Sequence, residues 1–221
     1  MGETKSLAIT SLITIPALIT LGITMLRLVG ELQHWPKPWF SAAAGGGGAI
    51  IGISWLPIIF GPYFAVKLAG AGDGPSSAGK AIGLAFAGLA VMVVGGFQIG
   101  VVMAMHYPYW TVIGYLVMLL AAFVPGIGWR SLRNSLLAYA FAARIPVVIV
   151  MFFAMRGKWG THYDALPPNV QLPSFLSAFV YTGVLPQLGF WIGWTVVVGA
   201  IVGTIAHAIT HRGKQAAPAA A

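Results

Sequence analysis

The sequence predicts an all-α, polytopic transmembrane bundle of about six spans with both termini cytoplasmic, and three observations lead there. Apolar stretches of roughly 20 residues recur along the chain, the length that a hydrocarbon core of about 30 Å demands of a helix. Only 7% of the residues are charged and 58% are hydrophobic, whereas a water-soluble domain carries about 25% charged residues. The 29 Gly and 14 Pro are many for helices in water, but membrane helices accept both because neighbouring helices satisfy the freed backbone groups. The apolar stretches are continuous rather than alternating, which fits a helical bundle better than a transmembrane barrel.

The spans are expected at residues 6–29, 48–69, 81–105, 111–129, 135–155 and 181–209, with residues 174–180 either lengthening the last helix or lying in the interface. The first stretch exceeds the 7 to 15 apolar residues of a signal-peptide core and has no small-residue cleavage site before Arg27, so it reads as a retained helix. Residues 1–214 then form one transmembrane domain, and the Ala/Pro run at 215–221 a loose tail.

Positive residues stay on the cytoplasmic side. Six spans divide Lys5, Lys67, Lys80, Arg130, Arg133, Arg212 and Lys214 on the side of the termini from Arg27, Lys37, Arg156 and Lys158 opposite. Termini inside, in a bacterial-type inner membrane, is the reading that follows. The outer loops then carry Trp35, Trp39, Tyr107, Tyr109, Trp110, Trp159 and Tyr163, an aromatic belt of the kind found at membrane–water interfaces.

Small residues four apart let helix backbones approach closely in lipid. The pairs Gly48 with Gly52, Gly96 with Gly100, Gly189 with Gly193 and Gly199 with Gly203 are therefore expected at helix contacts. Five of the six spans contain a proline, which removes a helical hydrogen bond and kinks the chain, although no span is visibly split in two.

Arg144 is the charge that cannot be moved into a loop. The eleven apolar residues after it would cover only about half of a bilayer core, so it lies well inside the fifth span, where an Arg costs at least about 2.5–3.5 kcal/mol. No Asp or Glu falls inside a predicted span. Arg144 is thus either satisfied by carbonyls, Gln98, Gln187 or lipid phosphate, or it binds an anionic ligand. His34, His106 and His162 occupy the three predicted outer loops, with Glu31 and Asp164 near, and would make a zinc-like site if the loops converged. His207 and His211 share a helical face at the inner end and read as interfacial.

Other chemistry is largely closed. The absence of cysteine removes thiol redox chemistry, iron–sulfur clusters and attached c-type haem, and no cofactor is expected. The basic residues form no nucleic-acid stripe. The string from Gly70 to Asp73 resembles the GxGD motif of intramembrane aspartyl proteases, but its partner Asp164 falls on the opposite predicted side and in reversed order. A Ser54–His207 dyad fails on depth. The leading expectation is a non-enzymatic accessory, scaffold or lipid-contacting component of a membrane assembly, with lipid, protein partners or further copies of the chain around it. The alternative is a small permease in which Arg144 binds an anion, and third comes a membrane hydrolase with an outer histidine metal site.

Overall fold

The computed structural model describes residues 8–105, 107–167 and 172–211. His106, Lys5, Arg212, Lys214 and the 215–221 tail lie outside the described residues. Among the described residues there is no strand. Four helices are long and apolar enough to cross a membrane: α1 (Ile9–Leu32), α3 (Ala78–Ala104), α5 (Arg130–Gly157) and α6 (Phe175–His211). Two shorter apolar helices, α2 (Leu56–Gly70) and α4 (Thr111–Ala121), fall within the second and fourth expected spans.

Helix ends follow local chemistry. The Ser77 hydroxyl accepts from the Lys80 N–H and starts α3, and Ser174 accepts from the Ser177 N–H and starts α6. Residues 175–180 therefore lengthen the last helix. At a rise of about 1.5 Å per residue, the 37 residues of α6 are more than a bilayer core needs. The helix absorbs Pro186, which has no N–H to donate, in two π-helical stretches, Phe179–Val184 and Pro186–Phe190. α1 extends to Leu32, so Glu31, beyond the expected end of the first span, is helical like Arg27, and both are buried.

The second expected span is helical only from Leu56 onward. Its first part, from Gly48 to Trp55, belongs to an irregular segment that begins before Ala44 and turns through Gly45, Gly46 and Gly48 at φ of 71°, 75° and 75°. Only glycine adopts that region without strain. The segment's polar groups are met by protein: Ile50 N–H donates to the Pro38 carbonyl, Ile51 N–H to that of Trp39, and Trp194 Nε1 to that of Ser54.

The core lies where α2 packs on α6, with α5 against both. Phe60, Phe64 and Tyr139 meet edge to face among Leu132, Leu136, Ile192 and Val196. The Tyr139 hydroxyl shares a 2.8 Å hydrogen bond with Thr20 of α1. The backbones of α2 and α6 come so close that a Cβ on Gly61 would strike Gly199, and one on Gly203 would lie 2.8 Å from the Gly61 carbonyl oxygen. On the far side of α6, Cβ atoms on Gly189 and Gly193 would strike Tyr115 and Met118 of α4.

The other expected pairs need correction. Gly48 and Gly52 are not in a helix, so they cannot form a helix-packing pair. On α3, Gly100 faces open space and Gly96 meets only the tip of Met118, while the close approach to α4 is made by Gly95, whose Cβ would lie 2.7 Å from the Gly114 carbonyl. Large apolar side chains such as Ile15, Phe97, Leu120 and Phe153 stand exposed around the outside, the surface a helical bundle presents to lipid.

Candidate functional site

A cavity of about 380 Å³ opens between α1, the irregular glycine segment, α3, α4, α5, residues 162–167 and Leu172 of the connection after α5, and the π-wrapped part of α6. Its wall combines apolar side chains, among them Ile53, Ile99, Val147 and Met151, with polar groups from Tyr115, Thr182 and Gln187 and two guanidinium groups, Arg27 and Arg144.

The two arginines have opposite surroundings. Arg144 sits near the middle of α5, about 20 Å from either helix end, and is 4% exposed. One terminal nitrogen donates to Gln187 Oε1 at 3.4 Å, and the guanidinium lies 4.6 Å from the centre of the Trp191 ring. That hydrogen bond is long for a charged donor, and the Nε–H has no partner among the described residues. Among the described residues no carboxylate lies within ion-pair distance of Arg144. Gln98, the other expected partner, instead donates to the Trp110 carbonyl at 3.1 Å and does not line the cavity.

Arg27 is compensated. Its Nε donates to Glu31 Oε1 at 2.8 Å, one turn away on α1, and a terminal nitrogen donates to the carbonyls of Gly46 at 3.0 Å and Ser41 at 3.3 Å. Arg27 thereby satisfies backbone that the glycine segment cannot pair with itself. Glu31 also receives the His162 backbone N–H at 2.8 Å, and His162 Nδ1 lies 2.7 Å from both carboxylate oxygens. A carboxylate only accepts, so Nδ1 carries the proton. The space around this cluster is tight: a Cβ on Gly46 would lie 3.1 Å from the His162 ring, and one on Gly52 would lie 3.1 Å from Arg27.

The loop that presents His162 is built by Asp164, whose carboxylate accepts from the Gly160 and Thr161 N–H groups and the Thr161 hydroxyl at 2.7–2.9 Å. Tyr163 stacks beside His162 and donates to the Thr24 carbonyl at 3.3 Å. Burial pushes the Tyr163 phenol up and pulls the His162 imidazole down from its ordinary value of 6.5, against the opposing pull of Glu31.

The expected outer metal site is not assembled among the described residues. His34 is exposed and does not line the cavity, His106 lies outside them, and His162 is engaged by Glu31. No three His, Cys, Asp or Glu side chains among the described residues gather in a way that would hold a metal ion. At the other end of the molecule His207 stacks on His211 and packs edge-on against Trp129, whose indole N–H donates to the Asp73 carbonyl. Ser54 lines the cavity, and no contact joins it to His207.

Of the residues singled out from the sequence, Arg144, Gln187 and His162 line the cavity. Sequence reasoning missed Trp191, Tyr163 and the Arg27–Glu31 pair, although Arg27 and Glu31 stand at the i,i+4 spacing of a helical ion pair, a signal that extending the first helix by one turn would have exposed. No protein family, curated protein or solved structure matches this chain.

Proposed function

We propose that this protein is a multi-pass membrane protein, oriented with both termini cytoplasmic, that binds a small organic anion in its cavity and acts as a permease for it. The observation that carries this reading is Arg144: a buried guanidinium with no carboxylate partner among the described residues, opening onto a cavity of about 380 Å³. A buried cation without a counter-charge is strongly disfavoured, and an anion on the free donors of its planar fork would relieve that cost. The apolar wall and the Trp191 ring favour an anion that carries an aromatic or aliphatic portion. Irregular backbone at Gly48–Trp55 and the π turns of α6 line the same cavity, and in membrane proteins such departures from helix are tolerated where they border a cavity. These features support the permease reading over a purely accessory role.

The test is binding of 2-naphthoate, benzoate, phenyl phosphate and 2-naphthalenesulfonate to the protein in lipid nanodiscs, followed by uptake of the best binder into proteoliposomes. At least one anion is expected to bind, and Arg144→Gln to weaken it by about tenfold or more, equivalent to about 1.4 kcal/mol. Equal binding by both forms, or binding by neither, would overturn the reading. Reporter fusions in the loop from Gly72 to Ser77 are expected to read cytoplasmic, and an outside signal there would reject the orientation.

A further inference from the structure

We propose that anion occupancy of this cavity is coupled to uptake of one proton by His162, with Nε2 of its imidazole as the acceptor. The inference rests on the anion-binding reading above and adds a second ligand to it.

His162 lines the same cavity as Arg144 and its side chain is 14% exposed. Glu31 holds Nδ1 at 2.7 Å and the backbone N–H of the same residue at 2.8 Å, which orients the ring and fixes the proton on Nδ1. Nε2 is left as the basic nitrogen, with no hydrogen-bond partner among the described residues. The charged and titratable groups facing the imidazole are Glu31 and Arg27 from α1 and Asp164 and Tyr163 from its own loop. Gly46, packed on it from the glycine segment, brings no charge.

Arg27 and Glu31 neutralise each other, and the Asp164 carboxylate is held by the loop backbone. With His162 neutral, Arg144 is the one uncompensated charge on the wall among the described residues. A proton from solvent added to Nε2 breaks no bond and makes an imidazolium that Glu31 stabilises, but it places a second positive charge on a desolvated wall. An anion drawn into the cavity by Arg144 brings a negative charge to the wall that His162 also lines, and offsets part of that penalty. By linkage, the anion raises the proton affinity of His162 and the proton raises the affinity for the anion by the same factor. Glu31 is a positioning residue here, acting through the imidazole, and Arg27 holds Glu31.

The experiment is calorimetric titration of 2-naphthoate, which stays ionised throughout, into the protein in nanodiscs at pH between about 6 and about 8, the range in which an imidazole titrates. Buffers of different ionisation enthalpy count the protons taken up. The expected uptake is largest between the value of the anion-free protein, which burial holds below 6.5, and the higher value with anion bound, with affinity rising as pH falls through that interval. His162→Gln, whose amide can still donate to Glu31, is expected to bind with no proton uptake and no pH dependence, while His34→Gln behaves as the unmutated protein. Binding without proton uptake by the unmutated protein would overturn the coupling and leave the anion reading standing, and this needs no variant to fold. Uptake that persists in His162→Gln would also overturn the assignment to His162. Absence of binding at every pH would overturn the anion reading, and the coupling with it.

Discussion

Along α5 and α6 the protein changes character at Arg144 and Trp191. Below these residues, Leu132, Leu136 and Tyr139 of α5 and Gly199 and Gly203 of α6 pack against α2 with their surfaces in contact. Above them, Val147, Met151 and Gln187 on the same two helices line a cavity. The packed region is held by shape, through glycines that admit a neighbouring backbone and an aromatic cluster that fills the remaining space. The cavity region is held by polar contacts, with Arg27, Glu31 and His162 tying a helix end, a glycine segment and a loop together. The contrast shows how a chain with few charges builds an open site: it concentrates buried charge where backbone is irregular, and leaves the close packing to glycine elsewhere.

The two kinds of support can be broken separately. Glu31→Ala leaves the buried Arg27 guanidinium unpaired and the His162 loop untethered, and should destabilise the protein by about 3–5 kcal/mol, the largest effect of the set. It is read as a fall in melting temperature in detergent. Gly61→Leu attacks the packed region and should cost about 1–3 kcal/mol through forced separation of α2 and α6. Gly100→Leu, which adds a side chain into open space, should stay within about 0.5 kcal/mol. Equal melting shifts for these two glycine variants would remove the distinction between the α2–α6 contact and the outer face of α3.

A smaller effect belongs to His162. Burial sets its folded value below 6.5, so the unfolded chain binds more protons in that window. Stability from this group is fully present above about pH 6.5 and fades as pH falls through the folded value. The expected loss of melting temperature on acidification should shrink in His162→Gln, and bound anion should shrink it in the unmutated protein. Arg144→Met sharpens the comparison from the other side. Replacing an uncompensated buried cation by an apolar chain of similar length should leave the melting temperature unchanged or raise it, while anion binding is lost. A marked fall in stability would mean that Arg144 serves packing rather than the cavity.

Much of the fold is legible in the sequence because apolar run length is a local property. The continuous stretches in the first, third, fifth and sixth spans correspond to helices long enough to cross a membrane. The position of Arg144 near the middle of a helix follows from the number of apolar residues behind it. The second span misleads for a physical reason: Gly48, Gly52 and their apolar neighbours read as membrane helix, but positive φ at three glycines and carbonyls satisfied by Arg27 and Trp194 stabilise a different path. Gly100 and Gly61 show the same limit for packing. Spacing marks Gly100 and passes over Gly61, because which glycine meets a backbone depends on how each helix is rotated.

The sequence by itself determined the helical class, the apolar composition of the outer surface and the place of Arg144 near the middle of a long helix, since each depends only on what is contiguous along the chain. Tertiary structure alone decided that Glu31 meets His162 across 131 residues, that Gly61 lies against Gly199 and Gly203, that Gln187 rather than Gln98 reaches Arg144, and that the upper half of the bundle stays open. These are meetings between residues far apart in sequence. Their energies come from desolvation, hydrogen-bond geometry and close backbone approach, which exist only once the helices have been placed side by side.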